Sequence, residues 1–191
     1  MPDFAITLHT VCGIEELTSH SDRAVTHILS IIDPDEPDPP AFGSYGSHNR
    51  TLLRFHDIIR ELPGMIAPQR EDVEKVLDFG RSLPPLENSE EGHLLVHCHM
   101  GISRSTAAMA TLIAEAEPRL DEDELFLKLV AIRGKAWPNS RMIAFADDIL
   151  GRGGRLTSAL RRHYTRQLTT FPRYGEQMRQ LGRGAEVEMA A

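Results

Sequence analysis

The sequence predicts an α/β fold, a mostly parallel central sheet flanked by helices on both faces. The first observation is an alternation: short apolar, β-branched segments are followed by longer segments with helical periodicity. The second is the apolar content, 41% of 191 residues, which suffices for one sizeable core. We therefore expect a main domain over residues 1–151 and a basic helical extension over residues 152–191, packed on that domain or continuing it.

Short apolar runs predict four strands. The second run, VTHILSII, is nearly all apolar, which is typical of a central strand buried on both faces. The fourth leads directly into a stretch that holds one of the two cysteines. In chain order the predicted strands are Phe4–Val11, Val25–Ile32, Thr51–Phe55 and Leu94–Val96.

Apolar residues at helical spacing predict five helices. The second is apolar nearly all round, which indicates a central, buried helix. Asp121, with Glu124 three residues later, has the pattern of an N-cap at the start of the third. In chain order the predicted helices are Pro68–Leu83, Ser103–Ala116, one that starts at Asp121, Pro138–Leu150 and Leu156–Leu168.

Two segments are predicted to lack regular structure. Asp33–Ser47 (DPDEPDPPAFGSYGS) is rich in proline, glycine and acidic residues, and a loop of this length is often a functional lid or disordered. Gly182–Ala191 is predicted to be a frayed tail.

Charge and cysteine content exclude several classes of partner. Residues 1–150 carry 13 Lys and Arg against 25 Asp and Glu, and this acidic body disfavours nucleic acid and anionic membranes. Residues 151–191 carry 8 against 3, and we expect them to lie on that body or to be solvated. Without a signal peptide or an apolar run near the roughly 20 residues that span a bilayer, we expect a soluble, cytoplasmic protein. Two cysteines are too few for a disulfide framework, which leaves one available as a nucleophile.

The stretch VHCHMGISRST (residues 96–106) predicts a cradle for a tetrahedral oxyanion. A strand runs into it and a helix follows, and the first N–H groups of a helix are unpaired and attract anions. Gly101 permits a tight turn, and Arg104 supplies a planar fork for two phosphate oxygens. The predicted substrate-binding residues are His99, Met100, Gly101, Ile102, Ser103 and Arg104.

Cys98 is the predicted nucleophile at the floor of this cradle. The loop N–H groups and Arg104 would stabilise a thiolate there, in line with a bound phosphorus atom. The hydroxyl of Ser105 can donate to the sulfur when the intermediate breaks down. We expect His97 to order the loop from behind and Cys12 to be a core residue.

HCHMGISRS resembles the H-C-x5-R-S/T signature loop of the cysteine-based protein tyrosine phosphatases, and its G-x-S-R-S ending is closest to the dual-specificity branch. VTHILSII resembles a core strand of that branch, and WPNSRMIAFADDIL resembles its P-N-x-x-F helix, with Met142 where an aromatic residue is common. The similarity covers roughly residues 5 to 150. It implies hydrolysis of phosphomonoesters in two steps through a phosphocysteine, with no metal and no cofactor.

The resemblance also implies a general acid, an Asp on a loop upstream of the cysteine. Asp57 fits best because it follows the predicted strand TLLRF directly, although it is also a reasonable helix N-cap. Asn139 is expected to hydrogen-bond the signature loop or its arginine, or to cap the next helix. The other candidate acids are Asp33, Asp35, Asp38 and Asp72.

The variable positions of the loop hold no Lys or Arg, which disfavours polyanionic head groups. A phosphorylated protein, first of all one with phosphotyrosine, is the expected substrate, and a small phosphomonoester is the alternative. Phe42 or Tyr45 of the long loop is a candidate to flank an aryl ring. Two other functions stay open: a rhodanese-like sulfurtransferase or arsenate reductase, and a phosphate-binding module that has lost catalysis.

Overall fold

The computed structural model describes residues 8–83 and 92–190, and within them a four-stranded, entirely parallel sheet forms the centre. The order across the sheet is β1-β4-β2-β3, so β4 and β2 are central. Their long apolar runs follow from burial on both faces. The strands are β1 (Leu8–Gly13), β2 (His27–Ile32), β3 (Asn49–Arg54) and β4 (His93–Cys98). The four predicted strands are confirmed, except that residues 4–7 of the first lie outside the described residues.

The described part of the chain contains seven α-helices. The five predicted helices are confirmed as α1 to α5, and Asp121 caps α3 by accepting hydrogen bonds from the N–H groups of Asp123 and Glu124. No helix within the described ranges is long and apolar enough to cross a membrane. The helices are α1 (Arg70–Ser82), α2 (Arg104–Ala116), α3 (Glu122–Ile132), α4 (Ser140–Ile149), α5 (Arg155–Thr170), α6 (Tyr174–Gln180) and α7 (Gly184–Met189).

The two faces of the sheet are covered differently. On one face α2 packs on the strands, and the other α-helices enclose a large core that includes Trp137. On the opposite face a smaller core around Cys12 lies under two short 3₁₀ helices, Ile14–His20 and Pro40–Ser44. The predicted fold class is confirmed, and Cys12 is a core residue as expected.

The frayed tail expected from Gly182 is wrong. α7 lies within that range, and Glu186 and Val187 on it are buried. The sequence pattern misled because Glu186 and Arg183 are charged, and charged residues are usually exposed. Here the two side chains pair with each other inside the protein, so α7 is held in place.

Candidate active site

The carboxyl end of β4 and the first turn of α2 enclose Cys98. Cys98 is the last residue of β4, its side chain is 2% exposed, and its sulfur lies 3.1 Å from the hydroxyl oxygen of Ser105. α2 begins at Arg104, so the N–H groups of its first turn have no partner within the helix. The structure therefore places a thiol, a hydroxyl and a helix N-terminus at one point, as the predicted roles require.

Arg104 presents an unpaired donor at the same point. The side chain is 2% exposed, and its Nη1 donates to Oδ1 of Asp33 at 2.5 Å and to the carbonyl oxygen of Phe55. Its Nε is buried and has no hydrogen-bond partner among the described residues. A buried N–H without an acceptor is costly. The guanidinium is thus fixed on one side and open to an anionic ligand on the other.

The loop between Cys98 and Arg104 rests directly on the end of β1. Gly101 has φ +69°, and a Cβ built on it would lie 2.3 Å from the carbonyl carbon of Cys12. Gly13 also lies close to the loop: a Cβ built on it would lie 2.9 Å from the carbonyl oxygen of His99. Gly101 therefore has the turn-forming role that the sequence predicted. Sequence reasoning missed Gly13, for which it predicted no contact with the loop.

His97 lies behind the loop, as predicted. Its Nε2 is 2.7 Å from the hydroxyl of Ser30 on the neighbouring central strand. Burial lowers the pKa of His97 to about 4. The imidazole is therefore neutral at physiological pH, which fits a positioning role and not a role in proton transfer.

Asp57 lies beside the loop, with three donors on one carboxylate oxygen. Oδ1 accepts hydrogen bonds from Ser103 Oγ at 2.7 Å, Asn139 Nδ2 at 3.0 Å and Arg183 Nη1 at 2.8 Å. The side chain is 31% exposed. Burial alone would raise the pKa of Asp57. The charges of Arg183 and Arg104, together with the hydrogen bonds from Ser103 and Asn139, outweigh burial and hold the pKa below its ordinary value.

Of the two interpretations left open for Asn139, the helix cap is confirmed, and among the described residues its side-chain amide donates to neither the signature loop nor Arg104. Its Oδ1 accepts from the N–H groups of Arg141 and Met142 at 3.1 Å each, so it caps α4. Its Nδ2 donates to Asp57 and to the carbonyl oxygen of Ile58. The start of α4 is thereby tied to the candidate acid, while the guanidinium of the signature loop is held by other groups.

Cys98, Arg104, Asp33 and Asp57 share one pocket of about 250 Å³. A groove between β3 and α1 is larger, about 660 Å³, but it is lined by neither cysteine. The smaller pocket is therefore the candidate active site, because it joins the nucleophile, the open arginine donor and a carboxylate.

Three of the candidate acids do not line this pocket. Asp38 forms an ion pair with Arg50 at 2.6 Å, and Asp72 accepts from the N–H of Gln69 at the start of α1. Asp35 is exposed on the long loop. Asp33 and Asp57 are the candidates that the fold brings to Cys98.

No family model and no curated protein matches the chain. Many solved structures match it. Human DUSP28 is 14% identical and covers 78% of this chain and 91% of its own, with a TM-score of 0.56. Cydia pomonella PTP-2 phosphatase is 16% identical and covers 77% and 88%, with a TM-score of 0.55. A mouse putative dual specificity phosphatase complexed with zinc tungstate is 17% identical and covers 77% and 84%, with a TM-score of 0.53.

The chain has the dual-specificity phosphatase fold. The resemblance that its signature loop carries is thus confirmed for the fold. Within this phosphatase fold, the loop positions predicted to bind substrate divide into two groups. His99, Met100 and Ile102 line the pocket, with His99 3.9 Å from Glu36. Ser103 also lines it, but its hydroxyl donates to Asp57, so the side chain positions that carboxylate.

A brace that sequence reasoning missed holds the signature loop from outside. The carboxylate of Glu16 accepts from the N–H of Gly13 at 2.6 Å and from both terminal nitrogens of Arg133 at 2.9 Å. Arg133 Nε donates to the carbonyl oxygen of Gly101 at 3.0 Å. Burial opposes ionisation of Glu16, but the hydrogen bond from Arg133 lowers its pKa below the ordinary value. No local sequence signal links residues so far apart.

The predicted contact of Phe42 or Tyr45 with a substrate ring is wrong. Phe42 lies under the guanidinium of Arg50, with its ring 5.5 Å from that of His97. The hydroxyl of Tyr45 donates to the carbonyl oxygen of Leu17 at 2.6 Å. Both rings pack against the smaller core on the second face of the sheet, away from the candidate active site.

Proposed function

We propose that this protein is a metal-independent phosphatase that hydrolyses phosphomonoesters through a phosphocysteine on Cys98. The observation that carries the proposal is the joint placement of the Cys98 thiol, the Ser105 hydroxyl 3.1 Å away and the buried, unpaired Nε of Arg104 at the start of α2. A tetrahedral oxyanion fits such a set of donors. The bound tungstate in the mouse structure, also an oxyanion, supports this assignment.

The first step transfers the phosphoryl group to sulfur. The Cys98 thiolate attacks phosphorus, the S–P bond forms, and the P–O bond to the leaving group breaks. Arg104 and the N–H groups at the start of α2 neutralise the charge on the phosphoryl oxygens. The leaving oxygen takes its proton from Asp57, which we assign as the general acid.

The second step returns the enzyme to its starting state. The Asp57 carboxylate takes a proton from a water molecule as that water attacks phosphorus. The S–P bond breaks, inorganic phosphate leaves, and the hydroxyl of Ser105 donates to the departing sulfur, which stays as the thiolate. Asp57 is then protonated again for the next cycle.

We assign different roles to the two carboxylates of the pocket. Oδ1 of Asp57 is held by three donors, and no hydrogen bond reaches Oδ2 within the described part of the chain, which leaves that atom for a leaving group or water. Asp33 instead lies 2.5 Å from Nη1 of Arg104. We therefore assign Asp33 to the orientation of the arginine.

The rim of the pocket favours phosphotyrosine in a protein as the substrate. Met65, Met100 and Leu181 line the pocket and are exposed, and Met178 adds a further apolar side chain. Such side chains can bury an aryl ring. The two arginines of the pocket, Arg104 and Arg183, are already paired with carboxylates, which is unfavourable for binding a polyanionic head group.

Turnover of p-nitrophenyl phosphate in the presence of a chelator tests the proposal. Cys98→Ser should abolish turnover and keep binding of tungstate in a calorimeter, whereas Cys12→Ala is the matched control and should stay active. Turnover that persists in purified Cys98→Ser would contradict the proposal. Tungstate binding without wild-type turnover would indicate a binding module, and sulfur transfer from thiosulfate to cyanide would indicate a sulfurtransferase.

A further inference from the structure

The C-terminal segment (residues 171–190) brings a buried arginine to the pocket. Arg183 lies in the turn between α6 and α7, its side chain is 4% exposed, and it lines the pocket. Its Nη1 donates to Oδ1 of Asp57 at 2.8 Å and to Oγ of Ser103 at 2.7 Å. Ser103 in turn donates to the same oxygen of Asp57. The three side chains form a closed triangle beside the signature loop.

The other side of the guanidinium is fixed by Glu186. Nε and Nη2 of Arg183 donate to its two carboxylate oxygens at 2.8 Å and 2.7 Å. Glu186 is fully buried and also accepts from Trp137 Nε1 and from the N–H of Ser140, each at 2.7 Å. Because every group in this network is held by the core, Arg183 cannot turn away from Asp57 without breaking buried hydrogen bonds.

A purely structural pair would not need the contact with Asp57. Glu186 alone satisfies Nε and Nη2, yet Nη1 reaches Asp57, the carboxylate that we assign as the general acid. The turn that carries Arg183 is also closed by a hydrogen bond: the backbone N–H of Arg183 donates to the carbonyl oxygen of Met178 at 2.8 Å. Met178 and Leu181 of the same segment line the pocket.

We propose that Arg183 is a positioning residue for the phosphatase reaction, which fixes the carboxylate of Asp57 beside the signature loop and makes the C-terminal segment part of the active site. The inference rests on the proposed function. It extends the site beyond residues 5 to 150, the range of the signature resemblance.

The position of Arg183 has a consequence for pH dependence. Asp57 must be protonated to serve the first step, and a cation 2.8 Å away favours its ionised form. Without that cation the proton should stay on Asp57 to higher pH, so the decline of activity on the alkaline side should move upward. The titratable and charged groups around Asp57 are Arg104, Arg183, Glu186, Tyr164, Asp33, Cys98 and His56.

The test compares Arg183→Met with Arg179→Met, a matched loss of charge at an exposed position on α6. The pH dependence of kcat on a phosphotyrosine peptide is measured for both, and the ¹³Cγ signal of Asp57, assigned by its loss in Asp57→Asn, is titrated by NMR. We expect Arg183→Met to raise both the alkaline limb and the NMR midpoint by about 1–3 pH units. Arg179→Met should leave both unchanged.

Arg183→Lys keeps the test possible if the methionine variant does not fold. An ammonium group keeps the charge but cannot bond Asp57, Ser103 and Glu186 together. We expect a smaller upward shift of the limb and a lower kcat. The phosphatase reaction itself is tested separately: wild type should turn over substrate, and Cys98→Ser should not. Given that turnover, an unchanged limb and an unchanged Asp57 titration in a folded Arg183 variant would overturn the role of Arg183 and leave the proposed function standing.

Discussion

Replacement of Gly101 by alanine should distort the signature loop by a clash that can be located in the structure. The added Cβ would lie 2.3 Å from the carbonyl carbon of Cys12 and 2.5 Å from the nitrogen of Gly13. Carbon atoms in contact are ordinarily about 3.5–4.0 Å apart. Both neighbours are backbone atoms of β1, so no side chain can swing aside, and either the loop or the end of the strand must move.

The expected cost has two parts. A φ of +69° costs a residue with a Cβ about 1–2 kcal/mol. Forcing an atom into filled space costs about 1–3 kcal/mol more. We therefore expect Gly101→Ala to lower the free energy of unfolding by about 2–5 kcal/mol. A displacement near 1 Å in the loop should also lower kcat/KM about 10²-fold in the fraction that stays folded.

Two other glycines serve as controls in urea unfolding. Gly151 has φ +63° with open space around its Cβ position, so Gly151→Ala should cost only the conformational part, about 1–2 kcal/mol. Gly43 has open space and no positive φ, and Gly43→Ala should stay within about 1 kcal/mol of wild type. If Gly101→Ala were no more destabilising than Gly151→Ala and kept full activity, the close packing of the loop on β1 would be refuted.

The remaining predictions concern the two charged groups of the reaction. Arg104→Lys should lower kcat/KM on a phosphotyrosine peptide about 10²–10³-fold, because an ammonium group cannot reproduce the planar fork held by Asp33; activity near wild type would argue against the cradle. Asp57→Asn should lower kcat about 10²–10⁴-fold on that peptide and less on p-nitrophenyl phosphate, whose leaving group needs its proton less. The variant should also lose the alkaline limb of the pH profile. If Asp57→Asn kept the bell-shaped profile of wild type, Asp33 would be assigned as the general acid instead.

The fold was predictable because its signals are local. A run of apolar residues indicates each strand, and apolar residues at helical spacing indicate the helices α1 to α5. The alternation of strands and helices predicts a parallel sheet. The signature loop was predictable for the same reason, since Cys98, Gly101, Arg104 and Ser105 are close in sequence and their spacing sets their geometry.

The supports of the site were not predictable from the sequence. Glu16 and Arg133, and likewise Asp57 and Arg183, meet only after folding, and nothing near either residue in the chain indicates its partner. The basic residues 151–191 were expected on the acidic body or in solvent, where most charged residues lie. Arg183 lies inside the protein instead, because Asp57 and Glu186 satisfy it there.

The covalent intermediate is the most direct test of the proposed chemistry. Wild type and Asp57→Asn are mixed with p-nitrophenyl phosphate, whose leaving group needs its proton less, quenched within the first turnover, and mapped by mass spectrometry of their peptides. We predict one phosphoryl group on Cys98 in wild type, and a larger fraction of Cys98 that carries it in Asp57→Asn because the second step lacks its base. Steady turnover with no phosphoryl group on Cys98, or with the group on another residue, would contradict a phosphocysteine mechanism.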